Sequence, residues 1–263
     1  MKKFFKLGLS AAICAACTLS LLALPACGET EVEYTLSDDG TYYIVSGVSG
    51  DRSSLNSLEV PAQYVNPETG VSLPVKEIGQ EAFMGCTSLY TVSLPYGIEK
   101  IGVRAFMLCG FYDFEIPESV TEIGLGAFSM CNTLVEITIP QSVTTLSAGA
   151  FYVCRALEKV YVKANITDLK DKMFYNSQAS VGTEVYTNTS LTEVYLSSTI
   201  TKINTTAFTG NAITDIYFAG TQQQWDELYF YELSANDSGE YVETKLTKSD
   251  LLYNIEVHTN ATF

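Results

Sequence analysis

The sequence predicts a repeat solenoid: an α+β stack of about six coils with a parallel sheet along one side. Three observations carry this. Residues 73–218 return to one phrase at near-constant spacing: LPVKEIGQEAFMGCTSLYTVS, LPYGIEKIGVRAFMLCGFYDFE, IPESVTEIGLGAFSMCNTLVEIT, IPQSVTTLSAGAFYVCRALEKVYV, then two looser copies ending at Phe218. The period is roughly 22 residues and is built on spaced apolar positions, which is the mark of a leucine-rich stack. Single residue types also recur in register, above all Phe83, Phe106, Phe128, Phe151, Phe174 and Phe208.

Within one copy the physics is local. In residues 116–138, Val120 and Ile123 flank a short extended piece that ends at Gly124. Ala127-Phe128 places a small and a large side chain on a tight turn. Leu134, Ile137 and Ile139 then follow Leu-x-x-Ile-x-Ile, the alternation of a half-buried strand. Pro140 stops that strand, because proline has no N–H to give a ladder. One coil cannot bury its own apolar side, so neighbours must stack. Gly79, Gly102 and Gly124 recur once per coil and read as turn residues.

Both ends of such a stack need caps. Glu33–Leu36 and Tyr42–Val45 read as strands around Asp38-Asp39-Gly40, a hairpin turn rather than a calcium loop. Residues 57–72 read as a partial coil. Downstream, Thr221 and Gln224 are spaced as a capping box at a helix start, and Trp225, the only tryptophan, is placed to plug the open end. Residues 255–258 read as a last strand. The organisation expected is therefore an N-terminal signal over 1–26, a β cap over 27–72, repeats over 73–218 and a helix/strand cap over 219–263.

The N-terminus has a purpose of its own. Lys2, Lys3 and Lys6 precede an apolar stretch from Leu7 to Leu24, then Leu24-Pro25-Ala26-Cys27. This is an export signal, and Leu-x-Ala-Cys resembles a bacterial lipobox, with Cys27 as the lipidated residue. The competing reading is an uncleaved membrane helix, since an apolar stretch of about 18 residues can cross a bilayer. Either places the body outside the cytoplasmic membrane, tethered at its N-terminus.

Composition narrows the partners. Net charge is −15, and −18 once the signal, with three lysines and no acid, is set aside. Such a chain is repelled by nucleic acid and by anionic lipid, so neither is expected as a partner. Four cysteines, Cys86, Cys109, Cys131 and Cys154, each follow a repeat phenylalanine at the same short spacing. Disulfides, metal or packed thiols are the readings. Asn176 and Asn211 fill the same column in later copies and decide for packed thiols, since asparagine continues no disulfide but does bond backbone.

The phrase Ile-Pro-x-x-Val-Thr-x-Ile-Gly-x-x-Ala-Phe-x-x-Cys-x-x-Leu resembles the BspA-type leucine-rich repeat of bacterial surface proteins. The segment at 217–225 is similar to the one that closes such arrays. The resemblance covers roughly residues 32–258. It implies an exported, surface-displayed binding protein, with a protein or glycan ligand, host matrix proteins among the candidates. It implies no cofactor, no metal and no catalytic residue. The single histidine, His258, leaves no Ser-His-Asp or Cys-His set to assemble and reads as a surface strand residue. An enzyme acting on glycans is the distant alternative; a structural envelope spacer is the nearer one.

Period-2 geometry then names the solvent-facing strand positions, expected on the concave side. They are Thr91 and Ser93, Asp113 and Glu115, Glu136 and Thr138, Lys159 and Tyr161, Glu193 and Tyr195, Asp215 and Tyr217. Tyr161, Tyr195 and Tyr217 with Glu136, Glu193 and Asp215 form the candidate binding surface of a monomeric protein. The tyrosines read equally as ligand contacts or as a ladder that stabilises the sheet. The fifth copy is far longer from Phe174 to Leu191 than the fourth is from Phe151 to Leu157. The excess cannot stack, so 177–189 is expected to loop out beside Tyr195.

Overall fold

A computed structural model shows the architecture. It describes residues 30–176, 179–181, 184–186, 190–236, 238–246, 248, 252 and 254–263. The signal segment, including Cys27, lies outside the described residues. The antiparallel hairpin β1 (Glu31–Leu36) and β2 (Tyr43–Ser49) opens the chain. Its turn is locked by Asp39, whose Oδ1 accepts from the Thr41 N–H, the Thr41 hydroxyl and the Ser37 hydroxyl. β3 (Ser57–Glu59), β4 (Gln63–Val65) and β5 (Ser72–Ile78) lead into the repeats. Arg52 closes this end: its guanidinium donates to the carbonyls of Glu81, Ala82 and Met84, and the last two match Ala105 and Met107, which in the next coil accept from the coil before.

Each coil then contributes up to two short strands on different sides. One series is β7 (Lys100–Ile101), β8 (Glu122–Ile123) and β10 (Thr145–Leu146), joined to β5 and β2 in a sheet. The other is β6 (Thr91–Ser93), β9 (Glu136–Ile139), β11 (Lys159–Val162), β15 (Glu193–Leu196) and β17 (Asp215–Phe218). The first series resumes as β12 (Asp168–Leu169), β16 (Lys202–Asn204), β18 (Tyr229–Ala235) and β19 (Tyr241–Leu246). The fifth-copy insertion holds a short antiparallel pair, β13 (Ala179–Val181) and β14 (Glu184–Tyr186); its side chains lie outside the described residues. Helix α1 (Gln222–Glu227) starts in the expected capping box, with Thr221 and Gln224 satisfying each other's backbone N–H. Trp225 is buried against Phe218. β20 (Glu256–Thr259) pairs parallel with β17.

Between the strands sit the phenylalanine turns. The six rings form one continuous stack, with centroids 5.2–5.6 Å apart and planes within 13° of parallel. Each of the first five donates its backbone N–H to the next coil, as Phe106 does to Ala127 O at 2.8 Å. Each of these five rings is at most 2% exposed, worth roughly 1.5–3 kcal/mol relative to solvent. To make so tight a turn, Arg104 and Lys172 before the ring and Leu108, Met130 and Val153 after it adopt left-handed backbone. That conformation is unfavourable for L-residues, and the stacked neighbours hold it.

The cysteine column is packed as expected. The thiols of Cys109, Cys131 and Cys154 donate to the carbonyls of Phe83, Phe106 and Phe128 at 3.1–3.2 Å. The Asn211 amide does the same job, reaching Phe174 O at 2.7 Å; Asn176 does not join the column, since it follows Phe174 by two residues rather than three and donates its backbone N–H to Thr209 O at 2.9 Å, as Met130 does to Tyr152 O. All four cysteines are free and buried. Burial pushes the Cys154 thiol up to about 12.

Two further expectations need correction. The concave strands do not form one sheet: β6 pairs only with β3, and Asp113 and Glu115 lie on an unpaired segment. That copy is one residue shorter between its cysteine and its proline. It also carries Phe114 where its neighbours carry Val92 and Ile137. The Phe114 ring packs in the core against Phe106 and Phe128 at 5.0 and 4.8 Å, the inward direction that Val92 and Ile137 also take, so the shortened segment is what distinguishes this copy. The second correction concerns the glycine column. Gly79, Gly102 and Gly124 do not serve positive-φ turns. A Cβ on Gly102 would stand 2.8 Å from the backbone of Gly79, and one on Gly124 2.8 Å from that of Gly102. Close approach of coil to coil requires them. Where Ser147 takes this position, its N–H bond to the previous coil is 3.0 Å, against 2.7–2.8 Å for the glycines.

Gly102→Ala should therefore cost about 1–3 kcal/mol through overpacking, while Ser147→Ala changes little; urea melts of both variants check this. Unchanged stability of Gly102→Ala would remove close approach as the reason. The four column thiols should resist a soluble maleimide in native buffer and all label in denaturant, as mass spectrometry of the peptides would read out.

Candidate ligand-binding face

The parallel sheet β9-β11-β15-β17-β20 positions the candidate residues. Its strands alternate strictly. Ile137, Val160, Val194 and Ile216 are at most 1% exposed, and the residues on either side of each point outward. Register then builds two rows. Thr138, Tyr161, Tyr195, Tyr217 and His258 form one; Glu136, Lys159, Glu193, Asp215 and Glu256 form the other. All six candidate residues thus fall on one face, in the two columns expected.

In the first row the rings stack. Tyr161–Tyr195, Tyr195–Tyr217 and Tyr217–His258 centroids are 4.3, 4.4 and 4.5 Å apart, with planes within 20°. These spacings are shorter than the 5.2–5.6 Å of the phenylalanine turns. The coils fan open on the phenylalanine side and close up on the tyrosine side, which makes the tyrosine face the inner one. His258 as a fourth member was not anticipated. The signal was present: residues 255–258 read as a strand, but nothing in the sequence said that it would join this sheet. Phe263 is also there, its ring 5.4 Å from Tyr195 and 6.4 Å from Tyr161.

The second row is linked by charge. Lys159 Nζ lies 2.9 Å from Glu193 Oε1. The Tyr195 hydroxyl donates to Glu193 Oε2 at 2.8 Å, tying the rows together. Bonds from Lys159 and Tyr195 hold the Glu193 carboxyl below its ordinary value. Asp215 is held down by its 2.9 Å contact with His258 Nε2 and by the Thr214 hydroxyl. Burial, then the Glu193 bond, drives the Tyr195 phenol well above its usual range. Asp215, Glu256 and His258 have ligand-type atoms within 4.8 Å of one another. The His258–Asp215 hydrogen bond accounts for two of the three, so the group is read as a hydrogen-bonded cluster.

At the opposite end of the stack an open hollow of about 940 Å³ is lined by Tyr34, Tyr42, Tyr64, Asp39 and Glu77. Asp39 is spent in the hairpin turn, and Tyr34 stacks on Tyr64 at 4.1 Å. These groups serve the cap. Among the described residues no helix is long and apolar enough to cross a membrane.

Comparison with protein families agrees with this architecture. The profile of the BspA type leucine rich repeat region matches six copies, over residues 66–181 and 177–237. Among solved structures, a leucine-rich repeat protein of T. pallidum is 23% identical with a TM-score of 0.48, covering 71% of this chain and 82% of its own. One from Bacteroides capillosus ATCC 29799 is 29% identical, TM-score 0.43, covering 49% and 92%. A leucine rich cell surface protein of Faecalibacterium prausnitzii A2-165 is 16% identical, TM-score 0.24, covering 80% and 98%. No curated protein matches the chain.

The pH behaviour of the face follows from its pairs. Glu193 and Asp215 have folded values below their unfolded ones, so their contribution is complete above the ordinary carboxylate range of about 4 and is lost as pH falls through the folded values. Tyr195 is raised, so its contribution is complete below about 10 and is lost as pH climbs through its folded value. Thermal melts should stay level across neutrality and drop at both extremes. Glu193→Gln should flatten part of the acid limb; an unchanged limb would show that the Glu193 pairs do not form in solution.

Proposed function

The chain belongs to the BspA-type leucine-rich-repeat family, and from that premise we propose that it is a surface-exposed binding protein. In this reading it is exported, held outside the cytoplasmic membrane by a lipid on Cys27, and adhesive toward a protein or glycan ligand. The contact surface is the inner face of the sheet, centred on Tyr161, Tyr195 and Tyr217, with Glu136, Glu193 and Asp215 beside them.

One observation carries the reading. The tyrosine row comes in addition to the devices that pack the coils from inside. The fold already has a continuous phenylalanine stack and a separate cysteine/asparagine column on the buried side. A second aromatic row on the solvent side adds large, polar-tipped contact area of low conformational entropy, which is what recognition surfaces use. It also lies beside an acidic row with one lysine, giving the face a directional charge. Among the described residues nothing on it resembles a nucleophile–base pair: His258 is hydrogen-bonded to Asp215 and stacked on the Tyr217 ring. Binding rather than turnover is the activity such a face supports.

The purified protein, screened against immobilised matrix proteins and glycans, should capture a ligand. The variant with Tyr161, Tyr195 and Tyr217 all changed to serine should keep its fold by circular dichroism and lose capture by at least about tenfold, as loss of central aromatic contacts does. Undiminished capture by the folded triple variant would sink the assignment of this face.

A further inference from the structure

The tyrosine ladder has an occupant, and its geometry names the kind of partner that fits. Because the rings of Tyr161, Tyr195, Tyr217 and His258 stack in series, both faces of Tyr195 and of Tyr217 are covered by neighbours. What points outward is a row of ring edges. The chain itself shows what such a row accepts. After β20, Asn260 takes left-handed backbone (φ 56°) and turns the chain back across the sheet. Its N–H donates to Gly220 O at 2.8 Å, and that of Ala261 to Phe218 O at 3.1 Å. Just beyond, the Phe263 ring lies over Tyr195 at 66° between planes and over Tyr161 at 49°. With the faces of Tyr195 taken, Phe263 meets its edge. A ring's electron-rich face over another's hydrogens is a favoured aromatic contact.

We propose that the ladder is a docking site for an extended peptide presenting an aromatic side chain, and that Phe263 is an intramolecular occupant which such a peptide displaces. This rests on the reading of the inner face as the ligand-binding surface, and it narrows that ligand to protein. A sugar stacks its C–H groups on an open aromatic face, and the two central tyrosines offer none. An aromatic side chain needs only edges. The ring is held by its aromatic contacts and stays half-buried, while the backbone bonds that fix the segment are those of Asn260 and Ala261. Displacing the ring breaks those aromatic contacts and leaves every strand of the sheet paired.

The probes are an amidated peptide with the sequence of residues 260–263, the same peptide with cyclohexylalanine for phenylalanine, and cellohexaose. Each is titrated by NMR into the wild-type protein, Phe263→Ala, and Phe263→Ala combined with Tyr195→Ser or Tyr195→Phe. Phe263→Ala should melt within about 2 °C of wild type, the usual scale for a surface change. It should bind the phenylalanine peptide at least about tenfold more tightly than wild type, since the competing ring is gone. Cyclohexylalanine should weaken binding, Tyr195→Ser should abolish it, and Tyr195→Phe, which keeps the ring, should retain it. Equal binding by wild type and Phe263→Ala, no binding by Phe263→Ala, or binding that survives Tyr195→Ser would overturn the proposal. So would cellohexaose binding that depends on Tyr195. Tyrosine-dependent capture of a protein in the screen above, alongside no peptide binding by Phe263→Ala, would remove this inference and leave the wider reading of the face standing.

Discussion

The close approach of one coil to the next is the constraint on which the molecule depends. It is met at every corner of the coil at once. Backbone bonds of 2.7–2.8 Å join the glycine column, rings stack at 5.2–5.6 Å in the phenylalanine turns, and a thiol or amide column reaches back to the preceding phenylalanine carbonyls. Each device acts between nearest neighbours only, so stability accumulates coil by coil. The left-handed residues of the turns show how strong the constraint is. Even Val153, a β-branched residue, sits at φ 56°, a conformation that its neighbours must hold against its own preference.

This arrangement separates the fold from the face. The buried residues that set coil spacing point inward or lie in the turns, while every second residue of the β9–β17 strands points out and meets its neighbours through ring stacks and a salt bridge. Curvature is the link between them. Turns fill with phenylalanine and open; the sheet side closes until Tyr195 and Tyr217 stand 4.4 Å apart. A ladder of stacked rings is thus partly a consequence of the bend, and its consequence in turn is that edges rather than faces meet the solvent.

The legible parts of the sequence were those that repeat. Coil number, the phenylalanine stack, the cysteine/asparagine column and both solvent-facing rows follow from period and alternation, because each repeats the same neighbour contact. The hairpin turn at Asp39 and the capping box at Thr221 were legible because their chemistry is local. What was not legible depends on single events between distant segments. The copy carrying Phe114 drops out of the strand series, and the alternation of its residues does not announce it. Arg52 caps carbonyls more than a full coil further along the chain. The glycines looked like turn residues because sequence reports that a Cβ is absent, not which backbone lies where it would be. His258 and Phe263 entered the site through the pairing of β20, a choice of partner strand that residues 255–258 do not encode in their own alternation.

The acidic row gives the final argument about purpose. Like charges opposite one another on adjacent strands destabilise a sheet, yet Glu193, Asp215 and Glu256 stand on three consecutive strands. Lys159 serves Glu193, and His258 serves Asp215. Glu256 lies 3.9 Å from the same His258 nitrogen and is three-quarters exposed, so the row carries more negative charge than Lys159 offsets. A sheet selected for rigidity alone would alternate signs, as Lys100 does between Glu77 and Glu122 in the sheet of short strands. The inner face holds both patterns: Glu136, Lys159 and Glu193 alternate in sign on β9, β11 and β15, whereas Glu193, Asp215 and Glu256 accumulate charge on β15, β17 and β20. The accumulated charge lies beside the tyrosine row, where bonds from Lys159 and Tyr195 hold Glu193, and bonds from His258 and Thr214 hold Asp215, below their ordinary values.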